Sequence, residues 1–192
     1  MKGARPLTDE EIGLIIKSFK GRFAARDRAL FTLGVKTGLR VSEILSLRIS
    51  DIFQHGRIVE RVYVQRRNMK GKVQGRTVLL HPEVKEAVKT WIEASGGSLD
   101  AEAYLFKSRK GTNQPITRKQ AWRILDTLFS RIGLSGKFGT HTMRKSFAKK
   151  MYELLDHDLI KTQKSLGHVS IQSTVSYLSF DQGEIDNAIL SL

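Results

Sequence analysis

Apolar residues recur at helical spacing along most of the chain. Residues Thr8 to Glu11 match a capping box, in which a threonine and a glutamate three residues apart cap each other's backbone N–H groups. The pattern after it predicts a helix through roughly Phe19, with Leu14 and Ile15 as its buried stripe.

The next segment predicts a helix, a sharp turn and a second, short helix. The first runs from about Ala25 to Thr37, and Gly38 is placed to end it in a left-handed cap. The second begins near Arg40. The apolar positions that the two helices should turn inward are Leu30, Phe31, Leu33, Val35, Ile44, Leu45 and Leu47.

Two short segments alternate between apolar and polar residues. The segments Ile58 to Gln65 and Arg76 to Leu80 flank a polar, glycine-containing connection and so predict an antiparallel hairpin. Helical periodicity dominates the rest, which gives the expected fold class: mainly α with a small antiparallel β-sheet (α+β).

Two longer helices follow the hairpin. Pro82 suits the first position of a helix whose stripe includes Val84, Val88 and Trp91, which makes Trp91 a core residue. Thr117 should cap the second helix. Its predicted buried face consists of Ala121, Trp122, Leu125, Leu128, Phe129 and Ile132.

The last third of the chain contains the densest group of chemical side chains. Thr140 is predicted to cap a helix whose buried side is Met143, Phe147, Met151 and Leu154. A helix from Asp158 to Leu166 should end at Gly167, and a shorter helix should begin near Ile171. The tail 181–192 has apolar residues at helical spacing, namely Ile185, Ala188, Ile189 and Leu192.

The charge balance narrows the choice of partner. A formal net charge of +14 over 192 residues favours a polyanion, with nucleic acid ahead of an anionic membrane. The absence of cysteine excludes a disulfide framework and a thiolate metal site. No long apolar run or signal-peptide pattern is present, so the sequence predicts neither a membrane span nor secretion, and we expect a cytoplasmic protein.

Five residues in three segments suit chemistry on a phosphodiester. They are Arg40 in TGLRVSE, His141 and Arg144 in GTHTMRKSFA, and His168 and Tyr177, nine residues apart, in SLGHVSIQSTVSYLSF. Arginines can hold a phosphate and a tyrosine hydroxyl can attack it. At the start of a helix after a glycine turn, Arg40 lies near backbone N–H groups that also favour an anion.

The order of these motifs resembles the catalytic domain of the tyrosine recombinases, the phage integrase family, from about Leu7 to Phe180. Met143 and Lys145 depart from the residues commoner in that pattern, and neither change removes a catalytic group. The resemblance implies a site-specific DNA recombinase that forms a 3′-phosphotyrosine intermediate. Such a recombinase needs no metal or cofactor for this chemistry. The catalytic residues that the resemblance implies are Arg40, Lys70, His141, Arg144, His168 and Tyr177.

Several further roles follow from the resemblance and from charge. Lys70 aligns best with the family's hairpin lysine, the general acid, and Lys72 is the alternative. Glu43, three residues after Arg40, is expected to orient its guanidinium. The candidate DNA contacts are Arg66, Arg67, Lys72, Arg76, Arg118, Lys119, Arg123 and Lys145. For Arg118, Lys119 and Arg123, a solvated charged face is an equal alternative.

The resemblance also implies an organisation and an assembly. Residues 1–180 form the catalytic domain, 181–192 form a tail helix that packs on its own domain or docks on a neighbouring protomer, and an N-terminal core-binding domain is absent. The chain is then either an excised domain or a naturally short recombinase. We expect a monomer in free solution and a homotetramer on double-stranded DNA, with nucleoid association when bound and accessory DNA-bending proteins as further candidate partners.

Two other functions remain open at this point. A type IB topoisomerase uses similar active-site groups and would relax DNA that lacks a recombination site. A DNA-binding module without catalysis belongs to a different class and would form no covalent bond to DNA.

Overall fold

The computed structural model describes residues 4–65, 75–96, 100–178, 186 and 189–192. The chain divides into two compact units, Met1–Phe147 and Ala148–Leu192. Each unit has its own helices, and the mainly helical α+β class that the sequence predicts is confirmed.

In its described part, the first unit contains six complete helices. They are α1 Asp9–Ser18, α2 Ala24–Thr37, α3 Val41–Leu45, α4 Ile49–Ile52, α5 Pro82–Ala94 and α6 Arg118–Arg131. The predicted caps are present: Thr8 and Glu11 form the capping box of α1, and Thr117 and Gln120 form that of α6. Gly38 ends α2 with a left-handed φ of 61°.

The described strands form two separate antiparallel hairpins. Strand β3, Arg61–Val64, pairs with β4, Arg76–Leu79, as expected. The predicted strand start at Ile58 is wrong, because that residue belongs to a second hairpin of β1, Phe53–Gln54, and β2, Arg57–Ile58. A tight turn with positive φ at His55 and Gly56 closes this hairpin. Val59 and Glu60, which lie outside the strands, separate Ile58 from β3.

The core of the first unit forms where α2 packs against α5, with α1, α3 and α6 around it. All seven inward positions predicted for α2 and α3 are buried. The prediction for Leu14 is wrong, since its side chain is 56% exposed. The stripe of α1 that meets the core is Ile12, Ile15, Ile16 and Phe19. Leu14 falls beside this i, i+3, i+4, i+7 pattern.

Both tryptophans lie on helix faces that meet this core. Trp91 is partly buried on α5 and donates its indole N–H to the carbonyl oxygen of Leu105 at 2.7 Å. Trp122 is also partly buried, on the predicted face of α6. Trp91 is therefore a packing residue, as predicted.

Helix α7, Thr142–Leu154, begins one residue later than a Thr140 cap would require. The N–H of Gly139 donates to Oγ1 of Thr142 at 3.0 Å, so Thr142 organises this turn in place of Thr140. The predicted burial of Leu154 is also wrong, since its side chain is 65% exposed. Leu154 is the last residue of the helix, and Asp156 and His157 turn the chain with positive φ immediately afterwards.

The second unit continues with α8, Leu159–Leu166, and α9, Ile171–Leu178, which pack against each other. Asp158 caps α8 by accepting the N–H of Lys161 at 2.8 Å, and Gly167 ends it with a φ of 61°. In the tail, residues 186, 189 and 190 are helical, and Ile189 and Leu192 are exposed. The predicted tail positions Ile185 and Ala188 lie outside the described residues.

None of the helices in the described part of the chain is long and apolar enough to cross a membrane.

We predict that Gly38→Ala destabilises the protein by about 2–4 kcal/mol. The backbone there is left-handed, and an added Cβ would lie 2.3 Å from Cδ1 of Phe147. Gly56→Ala is the matched control, since its φ is 75° but no atom of the described residues lies within 4 Å of the added Cβ. It should cost only about 1–2 kcal/mol in chemical denaturation. Equal losses for the two variants would contradict the predicted clash.

Candidate active site

The turn between α2 and α3 positions Arg40, and Glu43 holds it there. The Glu43 side chain is 0% exposed, and its Oε2 accepts the backbone N–H of Arg40 at 2.8 Å. Its Oε1 accepts Nη1 of the same arginine at 2.9 Å. One carboxylate thus fixes both the backbone and the guanidinium of Arg40, as the expected orienting role of Glu43 requires.

Arg76, at the start of β4, approaches the same carboxylate. Its Nη2 lies 3.5 Å from Oε2 of Glu43, and only 13% of its side chain is exposed. Burial lowers the pKa of Arg76; the negative Glu43 opposes that shift, and the positive Arg40 adds to it. Arg76 was predicted as a DNA contact, and that role stays a prediction. The structure places its guanidinium beside Glu43, so this carboxylate has an arginine on each side.

Arg144 is the largest fully buried side chain, with 1% exposure. It lies on the first turn of α7, and its Nη1 donates to the carbonyl oxygen of Gly38. Gly38 is two residues before Arg40, so both arginines are held at the same α2–α3 turn. A buried guanidinium needs compensating acceptors and is held in one orientation by them.

His141 directly precedes α7, and its backbone oxygen accepts the N–H of Lys145 at 2.8 Å. Desolvation lowers the pKa of His141, and the positive charges of Arg144, Arg40 and Lys145 lower it further. The imidazole is therefore neutral near pH 7 in the free protein. These electrostatic interactions also show that the predicted residues Arg40, His141, Arg144 and Lys145 share one positive region of the first unit.

In the second unit, α9 brings a threonine and a tyrosine to His168. The His168 ring is 8% exposed, and its Nδ1 lies 3.0 Å from Oγ1 of the buried Thr174. The ring of Tyr177 meets that imidazole edge-on, with centroids 5.1 Å apart. The sequence interpretation missed Thr174. Its signal is the i, i+3 spacing to Tyr177, which places both residues on one face of α9.

The remaining predicted site residues fall into two groups. Arg118, Lys119 and Arg123 lie exposed on α6, and Lys145 is partly buried on α7. Arg66, Arg67, Lys70 and Lys72 lie outside the described residues, and so does the choice between Lys70 and Lys72 as general acid. Over the described ranges, no three His, Cys, Asp or Glu side chains are grouped in a way that could hold a metal ion.

The family model for the phage integrase family matches residues 5–184. The chain therefore belongs to this family, and its fold is that of the catalytic domain of the tyrosine recombinases.

Named relatives agree with this assignment. The chain is 31% identical over 157 residues to the probable integrase/recombinase YoeC of Bacillus subtilis, covering 82% of this chain and 79% of YoeC. It is 34% identical over 180 residues to the type 1 fimbriae regulatory protein FimB of Escherichia coli K12, covering 92% and 85%. With the tyrosine recombinase XerD of Halalkalibacterium halodurans, the identity is 30%, over 90% of this chain and 56% of XerD.

Solved structures show the same fold. A XerH site-specific recombinase bound to a palindromic difH substrate has a TM-score of 0.74 at 27% identity, covering 98% of this chain. A XerA recombinase has a TM-score of 0.78 at 22% identity, covering 100%. This chain spans about half of the XerH chain, 53%, and 64% of XerA. Site-specific DNA recombination is the function that the family and these relatives support.

We predict that Lys145→Gln raises the pKa of His141 toward its ordinary value of 6.5, because one of the positive charges that lower it is removed. The measurement is an NMR titration of the imidazole, with Lys17→Gln on α1 as the control. The lowered pKa of His141 also determines how the stability of the protein changes with pH. With the folded pKa below the unfolded one, the unfolded chain binds more protons, so stability falls as the pH drops through 6.5 toward the folded pKa. An unchanged midpoint in Lys145→Gln would contradict the electrostatic account.

Proposed function

We propose that this chain breaks and rejoins DNA strands through attack of Tyr177 on a backbone phosphate. The observation that carries the proposal is the pair of arginines at the α2–α3 turn, Arg40 held by Glu43 and Arg144 held by the Gly38 carbonyl. Phosphoryl transfer depends mainly on positioning and on stabilising the charge of the transition state. Two guanidiniums that are already oriented supply both the positioning and the charge stabilisation, since each can donate a pair of hydrogen bonds to phosphate oxygens.

In the proposed reaction, the Tyr177 oxygen bonds to phosphorus as the bond to the 5′ oxygen breaks. The products are a 3′-phosphotyrosine and a free 5′-hydroxyl. Arg40 and Arg144 bind the non-bridging oxygens, and His141 and His168 stabilise the added negative charge at the five-coordinate phosphorus. The hydrogen bond to Thr174 supports this role for His168, because it fixes the orientation of the ring through Nδ1. The other ring nitrogen, Nε2, is then the one that we assign to the phosphate.

Two protons must move in this step. Tyr177 loses one, and His141 can accept it because its imidazole is neutral near pH 7. The lowered pKa that keeps this ring neutral also makes it a weaker base. The leaving 5′ oxygen gains one, which we assign to Lys70, with Lys72 as the alternative. Since the phosphotyrosine conserves the energy of the broken bond, a 5′-hydroxyl can reverse the step without a nucleotide cofactor.

Double-stranded DNA is the proposed substrate. Two observations support it: the net charge of +14 and the likeness to the solved structure of a XerH recombinase bound to its difH substrate. The monomer in free solution, the homotetramer on DNA, the accessory DNA-bending proteins and the cytoplasmic location stay predictions. So does the docking of the tail on a neighbouring protomer, which the exposure of Ile189 and Leu192 supports.

We predict that wild type forms a covalent complex with DNA and that Tyr177→Phe forms none. The substrate is a pool of duplexes nicked near candidate cleavage sites, so that the 5′-hydroxyl fragment leaves and the intermediate accumulates on a denaturing gel. Tyr152→Phe is the matched control, since Tyr152 also packs edge-on to a histidine, His157, with centroids 4.9 Å apart.

The control should form the covalent complex as wild type does. A covalent band from Tyr177→Phe would contradict the assignment of the nucleophile. No band from any variant under conditions of tight DNA binding would favour a binding module without catalysis, and relaxation of DNA by wild type at unrelated sequences would favour the topoisomerase alternative.

A further inference from the structure

A second cluster of cations surrounds Phe23, in the turn between α1 and α2. The guanidinium carbons of Arg26, Arg109 and Arg22 lie 4.5, 5.2 and 5.6 Å from the centre of the Phe23 ring. These arginines come from helix α2, from the loop before α6 and from the α1–α2 turn. The cavity-lining residues Phe23, Arg26, Arg109, Lys110 and Arg123 define what we call the Phe23 pocket. Arg22 adjoins the ring and lines neither cavity.

Two adjoining cavities make up this pocket, with volumes of about 350 and 330 Å³. Phe23, Arg26, Arg123 and Ile124 line both of them, so the cavities share a wall. The cationic residues that line one or both are Lys20, Arg26, Arg109, Lys110, Arg123 and Arg131. Asp27 is the one carboxylate among the described lining residues.

That carboxylate is already engaged. Oδ1 of Asp27 lies 2.7 Å from Nη2 of Arg26, and Arg131 donates to the carbonyl oxygen of Ser18. Among the described ion pairs, none includes Arg22, Arg109 or Arg123. Several positive charges are thus grouped without an equal number of negative ones. Such a group is unfavourable in the free protein and is stabilised when an anion enters it.

The chemistry of the pocket favours phosphate groups. Guanidinium groups bind phosphate oxygens in forked pairs, and a nucleic acid strand offers one phosphate for about every 3.4 Å of helix axis. Two adjoining cavities with a shared cationic wall suit consecutive phosphates better than one isolated ion. Arginines also approach the ring of Phe23, which makes the ring a support that orients them and not a platform for stacking an unpaired base.

We propose that the Phe23 pocket binds the backbone of duplex DNA at phosphates other than the one that is cleaved. The inference rests on the proposed function, since it extends the DNA contact of the same chain. It adds residues that composition and motifs did not indicate, with the exception of Arg123. Because these contacts are to phosphates, they position the duplex without reading its sequence.

The test compares the salt dependence of duplex binding in wild type, Arg109→Gln, Lys110→Gln and the double variant, because both residues line the pocket. A plot of log K against log salt concentration loses about 0.9 of slope for each phosphate contact removed. We expect each single variant to lose about one such step and the double variant about two. Arg57→Gln on β2 is the matched control, an exposed arginine that lines a different cavity, and its slope should equal that of wild type.

A second readout separates this inference from the proposed function. At saturating DNA, Arg109→Gln and Lys110→Gln should still form the covalent intermediate at the wild-type rate, because neither residue contacts the scissile phosphate in this proposal. Unchanged salt slopes with intact cleavage would overturn the Phe23 pocket alone. If wild type bound duplex DNA without salt dependence, the DNA-binding role of the pocket would be overturned as well. If the variants showed reduced slopes but wild type did not cleave DNA, only the proposed reaction would be overturned.

Discussion

The candidate active site of the first unit depends on one buried carboxylate. Glu43 has no exposed surface and lies between two guanidiniums, those of Arg40 and Arg76. An unpaired carboxylate at this depth would be strongly unfavourable, and the two neighbouring arginines without it would repel each other. The three groups therefore stabilise each other as a set. The set fixes the orientation of Arg40. In the reaction that we propose, this leaves little reorganisation for Arg40 when it binds a phosphate.

The glycine turn before Arg40 adds a second constraint. Gly38 must lack a side chain, because its φ is positive and Phe147 lies where a Cβ would be. Its carbonyl oxygen also accepts the guanidinium of Arg144. The same three-residue turn thus ends α2, places Arg40 and holds Arg144. A polar active site can be this deeply buried only when each charged group has a partner, and here the backbone of the turn provides one.

Much of this could be read from the sequence, because the signals are local. Gly38 and Gly167 as left-handed caps, Thr8 and Thr117 as N-caps and the hairpin strands around 61–79 all follow from short-range patterns. The errors have equally local causes: Leu14 falls beside the stripe that packs, and Thr142 displaced Thr140 at the start of α7. The sequence could not show that Arg76 lies beside Glu43, since the two are 33 positions apart and pair only in the folded chain. A basic residue next to a charged hairpin is typical of a DNA contact, and the local sequence carries no sign that its side chain is mostly buried. The cations around Phe23 were hidden for the same reason, because three separate segments supply them.

A double-mutant cycle tests the central claim. This claim is that the Glu43 carboxylate holds Arg40 for catalysis through a network that it shares with Arg76. The rate of covalent complex formation on a nicked duplex would be measured in single turnover for wild type, Glu43→Gln, Arg76→Gln and the double variant, each shown to be folded by its thermal unfolding transition. Each single variant should lose about 10- to 100-fold in rate, the cost of about 1.5–3 kcal/mol for a hydrogen bond to a charged group. The double variant should be no slower than the slower single variant, because both remove the same network. A folded Glu43→Gln that cleaves at the wild-type rate, or single effects that add in full, would contradict the account.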